Sequence, residues 1–229
     1  MEDTTQPVAP FRFRRLSFLV GAVFFSFFCR VIFSPLLPAI ENDLNISHAV
    51  GGSFFFFIAI GYSTTMLVSG YLSRLVNQRH IIVAAVVTAG TGVALVGLSQ
   101  SVATIRMSLV LIGIGAGLYP PSGITTLTTL VPQKQWGKAT AIHEIGPNLV
   151  FVLAPFFAEL MLRVSDWRGA LFVTGGAAVV AASLFGIFSE GGHFRGAPPH
   201  FSKIRVVTGS PAFWTAAVFM LWAMVGHMG

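Results

Sequence analysis

Long apolar blocks separated by short polar segments dominate the chain. A helix that spans the hydrocarbon core of a bilayer needs about 20 mostly apolar residues. Six blocks reach about that length: Leu16–Ile40, Ala49–Leu72, His80–Leu98, Ala103–Leu130, Lys138–Leu162 and Gly169–Phe188. A seventh begins near Pro211 and is still apolar at Gly229. The pattern predicts an all-α membrane protein, a six-helix transmembrane bundle with the start of a seventh helix.

The connections between the blocks predict where the chain divides. Most are short and carry turn-forming residues, whereas the segment 189–210 is longer, polar and rich in Gly and Pro. We therefore predict a six-helix domain over residues 1–188, a cytoplasmic linker over 189–210 and the start of a second domain over 211–229. Because that second domain would be unfinished, we also expect the natural protein to continue beyond Gly229.

Two short similarities predict an internal repeat. Arg74-Leu-Val-Asn-Gln-Arg79 follows the second block, and Arg163-Val-Ser-Asp-Trp-Arg168 follows the fifth. The first and fourth blocks each carry two prolines late, Pro35 and Pro38 in one and Pro120 and Pro121 in the other. Two three-helix units of opposite orientation are a common plan of secondary transporters. We predict that arrangement for the six-helix bundle.

Composition supports a lipid-facing surface and argues against an enzyme. Hydrophobic residues make up 54% of the chain and charged residues 10%, against about 25% charged in a soluble domain. The one cysteine, Cys29, excludes a disulfide framework and multi-cysteine metal motifs. The sequence contains no paired nucleophile and base and no nucleotide-binding loop. We therefore predict no catalytic residue, no metal ligand and no cofactor.

The positive charge marks the orientation in the membrane. A net charge of +6 would suit nucleic acid, but the basic residues lie in loops between apolar blocks, so no nucleic-acid partner is expected. With the N-terminus inside, the inner segments hold ten Lys and Arg, and the outer segments hold only Arg106, Arg163 and Arg168. Cytoplasmic loops carry such an excess. We therefore predict a multi-pass protein of the cell membrane with a cytoplasmic N-terminus. The expected cell membrane is the inner membrane of a bacterium.

Arg30 is the sharpest chemical signal. It follows Leu16 by 14 residues, or about 21 Å of helix at 1.5 Å per residue. A charge at that depth is expensive unless it faces a partner or a wet cavity. A guanidinium there predicts a binding site for a carboxylate or phosphate. The alternatives are a structural ion pair with Glu144 and a polar cap nearer the outer surface.

Four further residues are candidates for the same site. His143 and Glu144 lie in the fifth block, and either is a candidate for the coupling proton, since His titrates near neutral pH. The alternative is that they lie near the inner interface and are merely solvated or paired with Arg30. Asn148 shares the helical face of Glu144. Tyr119 lies beside the two prolines of the fourth block, where we expect a helix break, and offers a hydroxyl to the cavity.

Two motifs resemble the major facilitator superfamily. Gly113-Ile-Gly-Ala-Gly117 is similar to the family's fourth-helix motif, and Asp166-Trp-Arg168 before the sixth block is typical of it. The resemblance implies the first half of a twelve-helix transporter that works by alternating access. It also implies a gating loop after the second helix, built here from Gly70, Arg74 and Arg79, although Arg74 stands where the family has Asp.

Anion-transporting branches, such as organophosphate carriers, are the most similar. Arg30, Phe33 and Pro38 keep the spacing of their first helix, and Gly117-Leu-Tyr-Pro-Pro121 matches the end of their fourth. Asn148 matches the Asn of their fifth-helix His-Asn pair, while Pro147 replaces the His. The resemblance implies a small organic anion as substrate, without specifying an organophosphate.

The combined hypothesis is a secondary transporter that moves a small organic anion together with a proton. Arg30, Tyr119 and Asn148 would bind the substrate, and Glu144 or His143 would bind the proton. The expected partners are the substrate, the lipid bilayer, and the missing C-terminal half or another chain that completes the cavity. The alternatives are a proton-coupled drug efflux antiporter and a non-transporting sensor or half-carrier.

Overall fold

The structure, a computed structural model, describes residues 13–196, 208–215 and 218–219. The chain forms two compact units, residues 1–196 and 197–229. The described part of the first unit is helical and contains no strand. Its helices are α1 Phe13–Val31, α2 Phe33–Leu44, α3 His48–Gly52, α4 Phe54–Leu75, α5 Gln78–Leu98, α6 Val102–Leu130, α7 Trp136–Val164 and α8 Trp167–Phe188. A single 3-10 turn, Gln133–Gln135, leads into α7.

Six stretches of the described chain are long and apolar enough to cross a membrane, which confirms the all-α membrane bundle. The first span is α1 with α2, the second is α3 with α4, and α5 to α8 provide the third to sixth. Of the predicted seventh span, residues 211–215 and 218–219 are helical, and its other residues lie outside the described part. The boundary at residue 188 stays a prediction, while the first compact unit continues to Gly196.

Proline interrupts the helical hydrogen bonding of one span and leaves another helix continuous. The first span is interrupted at Ile32, between α1 and α2. Pro35 cannot donate a backbone hydrogen bond to the Val31 carbonyl four residues back, and its ring crowds that carbonyl. Ile32 itself keeps helical φ and ψ, and its N–H bonds to the Phe28 carbonyl at 3.0 Å, so the hydrogen bonding is interrupted while the span continues. The break expected at Pro120 and Pro121 is wrong, since α6 continues through both to Leu130. Proline φ is itself helical, and α4 and α5 pack on α6 just before this point.

Glycines allow α6 to pack closely on two neighbours. A Cβ on Gly113 or Gly117 would collide with the backbone of α4, at Ile58 and Tyr62. A Cβ on Gly115 would instead collide with the backbone of α5, at Ala85 and Ala89. In lipid, helices associate largely through such close backbone approach. The glycine motif therefore joins three helices of the bundle, one face to α4 and the opposite face to α5.

Close glycine contacts recur at equivalent positions, 85 residues apart, in the two three-helix units. Gly61 of α4 packs on the α6 backbone, and Gly146 of α7 approaches the Val20 carbonyl oxygen of α1, where its Cβ would lie 3.1 Å away. Gly90 of α5 and Gly175 of α8 face each other. Three pairs stand 85 positions apart, namely Pro35 and Pro120, Gly61 and Gly146, and Gly90 and Gly175. Corresponding residues thus make corresponding helix contacts, as expected of two related three-helix units.

The Asp-Trp-Arg motif joins the ends of the first and sixth spans. The Asp166 carboxylate accepts a hydrogen bond from the Gly169 N–H at 2.7 Å and caps α8. The next two residues both reach Asp43 at the end of α2. The Trp167 indole donates to the Asp43 carboxylate at 3.2 Å, and the Arg168 guanidinium donates to the same oxygen. The motif is therefore a structural clamp between α2 and α8.

Candidate functional site

Arg30 lies in the last turn of α1, directly before the break at Ile32. Its guanidinium carbon is 4.3 Å from the centre of the Phe27 ring and 5.0 Å from that of Tyr62 on α4. Phe27 is one helical turn earlier on α1, so it reaches the same face. Stacking on aromatic faces offsets part of the guanidinium charge, and a planar guanidinium binds a carboxylate or phosphate through its N–H groups.

No carboxylate neutralises Arg30 within the part of the chain that the structure describes. Its buried Nε has no hydrogen-bond partner there. The alternative of an ion pair with Glu144 is wrong in this structure, because the Glu144 carboxylate contacts His143 instead. A partly buried cation without a carboxylate partner is costly in a membrane span and favours a negatively charged ligand.

Tyr119, His143 and Glu144 form one connected network. The Tyr119 hydroxyl donates to the backbone carbonyl of Leu19 at 3.0 Å and lies 3.1 Å from His143 Nε2. His143 Nδ1 lies 3.1 Å from a carboxylate oxygen of Glu144. The Tyr119 and His143 rings stack with an angle of 15° between their planes. The network therefore runs from α1 through α6 to α7.

Exposure differs sharply along this network. The side chain of Glu144 is 51% exposed, while that of His143 is 4% exposed. Tyr119 is buried, and its hydroxyl is already engaged by Leu19 and His143. The network therefore has one exposed end, at Glu144, and a buried interior at His143 and Tyr119. Tyr119 as a substrate ligand stays a prediction, since contact with a substrate would require its hydroxyl to leave these partners.

Asn148 lies on the exposed side of α7, one turn after Glu144. Its side-chain amide donates to the Glu144 backbone carbonyl at 2.7 Å. Pro147 interrupts the hydrogen bonding of this turn without breaking α7. The amide oxygen of Asn148 is still available as an acceptor, so a substrate contact by Asn148 stays a prediction.

The cation and the titratable network lie at different depths. Leu19, the α1 partner of Tyr119, precedes Arg30 by eleven residues, which is about 16 Å of helix. The two groups are linked through packing: the Phe27 ring touches both the Arg30 guanidinium and the Phe151 ring of α7. Sequence spacing placed these residues in one cavity, but the structure separates them along α1.

The predicted gating residues divide into two groups. Gly70 is exposed with no atom within 4 Å of where its Cβ would be, and Arg74 is exposed and stacks on Tyr71. Arg79, at the start of α5, instead reaches the end of α8. Its guanidinium donates to the Gly186 and Ser189 carbonyls, completing acceptors that a helix C-terminus leaves free.

The segment after α8 is hydrogen-bonded to the end of α4 and the start of α5. Arg79 Nη1 lies 2.6 Å from Nε2 of His193. Backbone hydrogen bonds run from Gln78 to Phe194, from Arg79 to Gly192 and from Gly196 to Ser73. Gly192 has a φ of +83°, and a Cβ there would strike the backbone of Arg79, so only glycine fits. We call residues 190–196 the clasp.

Replacing Arg79 with Gln should release the clasp. The variant loses charge-assisted hydrogen bonds worth about 1.5–3 kcal/mol, which corresponds to a roughly ten- to hundred-fold larger open population. Trypsin cleavage after Arg195, followed by mass spectrometry, should accelerate by about that factor if opening is fast. Arg74→Gln is the matched control, since Arg74 only stacks on Tyr71 and its variant should be cleaved at the parent rate. Equal rates for both variants and the parent would refute the role of Arg79.

Sequence reasoning missed several of these partners. Tyr62 stacks on Arg30, and it is the one tyrosine in the middle of the second apolar block. The aromatic residue one turn before Arg30, Phe27, was also a usable signal. Nothing in the sequence indicates that the Leu19 carbonyl accepts from Tyr119, or that His193 meets Arg79, because these contacts join distant parts of the chain.

An apolar cavity of about 360 Å³ lies between α1, α7 and α8. It is separate from the Arg30 stack and from the titratable network. Aromatic and aliphatic side chains dominate its lining, and none of its lining residues is charged; they are Phe24, Phe25, Phe28, Leu153, Phe156, Phe157, Leu160, Val173, Thr174 and Ala177. The cavity suits a lipophilic group and offers nothing to an anion.

The curated relatives of this chain are named as transport proteins. The chain is 31% identical to the "MFS-type transporter pydD" of Acremonium sp over 166 residues, 67% of this chain and 27% of that protein. It is 26% identical over 159 residues to a "probable hexose phosphate transport protein" of Chlamydia muridarum, 69% of this chain and 35% of the relative. It is 27% identical over 179 residues to a chloramphenicol efflux pump of Mycobacterium tuberculosis, 78% and 43% of the two chains. The matched stretch covers less than half the length of each relative.

The fold has a clear counterpart among solved structures. A bacterial homologue of the human lysosomal transporter Spinster, inward-facing and unoccupied, superposes with a TM-score of 0.77 at 18% identity. The match covers 92% of this chain and 52% of that one. The sequence profile of the Major Facilitator Superfamily matches residues 19–228. This multi-pass membrane chain therefore belongs to the major facilitator superfamily.

Proposed function

We propose that the protein takes part in secondary active transport of a small organic anion by alternating access, coupled to protons. The observation that carries this proposal is Arg30: a guanidinium in a membrane span, stacked on two aromatic rings, with a buried Nε that lacks a partner. A carboxylate or phosphate would supply the missing hydrogen bonds and the counter-charge together. The similarity to a protein named for hexose phosphate transport agrees with an anionic substrate.

Glu144 and His143 are the proposed proton site. Glu144 is half-exposed and lies beside a buried histidine, an arrangement that supports exchange of a proton through Glu144. In this proposal Asn148 adds a contact to the substrate, and the end of α4 with Gly70 and Arg74 and the start of α5 with Arg79 take part in gating. The N-terminus and the segment 189–210 lie in the cytoplasm, and a second helical domain starts at about residue 211.

Drug efflux is a second candidate function. The uncharged cavity between α1, α7 and α8 would accept a lipophilic compound, and Glu144 would pair with a cationic one. The similarity to a chloramphenicol efflux pump agrees with this alternative. In it, Arg30 would be a structural residue held by Phe27 and Tyr62.

Transport assays on the full-length protein in proteoliposomes separate the two. The probes are radiolabelled glucose 6-phosphate, inorganic phosphate, a short dicarboxylate and the lipophilic cation tetraphenylphosphonium. We expect an imposed proton gradient to drive accumulation of a phosphate or carboxylate to at least several times the level in protein-free vesicles. Movement of tetraphenylphosphonium alone would establish efflux instead, and movement of none of these probes would count against the anion proposal.

A further inference from the structure

The hydrogen bonds around Tyr119 depend on how many protons the network holds. A tyrosine hydroxyl has one hydrogen, and here that hydrogen is donated to the Leu19 carbonyl. The contact between the same oxygen and His143 Nε2 is then a hydrogen bond only if Nε2 carries a proton and donates it. His143 Nδ1 faces a carboxylate oxygen of Glu144, and that contact also needs a proton between its two atoms.

All three contacts coexist only in the proton-loaded state. In that state His143 is protonated on both nitrogens beside a Glu144 carboxylate, or it is neutral beside a protonated Glu144; the proton count is the same. After one proton leaves to the water at Glu144, the remaining proton lies on Nδ1, because a bare Nδ1 would face the carboxylate with lone pair against lone pair. Nε2 is then an acceptor, and the only donor recorded beside it is the Tyr119 hydroxyl.

We propose that Tyr119 is a hydroxyl switch: it donates to the Leu19 carbonyl when the His143–Glu144 pair is proton-loaded, and to His143 Nε2 when the pair has lost a proton. The net change is one proton released and one hydroxyl rotated, with no bond made or broken elsewhere. The hydrogen bond from Tyr119 of α6 to the Leu19 carbonyl of α1 therefore exists only in the loaded state. This inference rests on the proposed role of the pair as the proton site.

The switch acts on the helix that carries Arg30. Leu19 and Arg30 both belong to α1, which Gly146 of α7 contacts closely at Val20. Within the described residues, the titratable groups recorded in contact with the His143 ring are Glu144 from α7 and Tyr119 from α6. Lys138 lies five residues earlier on α7, and Arg30 lies farther along α1. Proton loading thus changes how α1 is held, at a distance from the substrate cation.

The test is nuclear magnetic resonance on the full-length protein in lipid nanodiscs, with 15N-labelled histidine and 13C-carbonyl leucine. The His143 and Leu19 signals are identified by their loss in His143→Gln and Leu19→Ile. On raising the pH we expect His143 to become the Nδ1–H tautomer, and the Leu19 carbonyl signal to shift with the same midpoint. In Tyr119→Phe, which keeps the stacked ring, the Leu19 signal should no longer respond to pH.

A second variant fixes the switch in one position. In Glu144→Gln the amide can donate to Nδ1, so neutral His143 should remain the Nε2–H tautomer and Tyr119 should stay on Leu19 at every pH. An Nε2–H tautomer for neutral His143 in the parent protein, or a Leu19 signal that ignores pH, would overturn the proposal. These readouts need no substrate, so a failure of anion transport in proteoliposomes would contradict the proposed function separately.

Discussion

Replacing Arg30 with Lys should raise the KM for anion uptake by the full-length protein about ten- to hundred-fold. Lysine keeps the positive charge but loses the planar fork that binds a carboxylate or phosphate with two parallel hydrogen bonds. It also stacks less well on the Phe27 and Tyr62 rings that hold the guanidinium. A lost hydrogen bond to a charged group is worth about 1.5–3 kcal/mol, and each 1.4 kcal/mol corresponds to about a factor of ten. Arg30→Ala should abolish uptake.

Arg106 provides the matched control. It too is a guanidinium stacked on an α4 ring, with its carbon 5.1 Å from the centre of Phe57, and its buried Nε also has no partner. It lies near the start of α6, however, and donates to the Ser53 hydroxyl at 3.2 Å. Arg106→Lys should leave KM close to the parent value. An equal rise in both variants, or unchanged uptake of every transported anion in Arg30→Ala, would eliminate a specific substrate role for Arg30.

Replacing Gly113 with Leu should prevent the bundle from assembling in its present form. The first added carbon alone would overlap the Ile58 carbonyl and approach the Tyr62 nitrogen to 2.8 Å, so α4 and α6 would have to separate. Overpacking of this kind costs about 1–3 kcal/mol, occasionally more, and separation would also forfeit the neighbouring contacts at Gly61 and Gly117. We expect a large fall in the yield of monodisperse protein in detergent and a markedly lower melting temperature, measured by size exclusion after heating.

Gly176 supplies the control for this substitution. It lies in α8 beside Gly175, but nothing lies within 4 Å of the position its Cβ would take. Gly176→Ala should therefore retain or slightly raise the melting temperature, since alanine is favoured over glycine in a helix by about 1 kcal/mol. Gly113→Ala should already be destabilised. If the two alanine variants melted alike, the close approach of α4 and α6 would not be what holds the bundle together.

The sequence by itself determined the class of protein and the number of spans. Apolar runs of bilayer length are a local property of the chain, and a spanning backbone has to be helical because lipid offers it no hydrogen-bond partners. All six blocks became spanning helices for that reason. The glycine motif of α6 and the Asp-Trp-Arg motif could also be recognised from the sequence, because each is a short pattern within one segment.

The prolines show a feature that the local sequence did not predict, namely whether a helix continues through them. Pro35 interrupts the first span, yet Pro120 and Pro121 lie inside a continuous α6. A proline removes one backbone hydrogen bond but has a helical φ of its own, so its presence in the sequence does not determine whether the helix ends. The doubled proline gave the stronger local signal and the wrong expectation.

Only the tertiary structure decided which polar groups meet. An ion pair between Arg30 and Glu144 was one alternative that the sequence left open, but Glu144 contacts His143 and Arg30 stacks on Phe27 and Tyr62. Tyr119 stays a predicted substrate ligand, and the structure adds that its hydroxyl joins α1 to α7. Spans of similar length leave the rotation of each helix about its axis undetermined. That rotation is fixed by close glycine contacts between helices, and it selects the face on which each of these side chains lies.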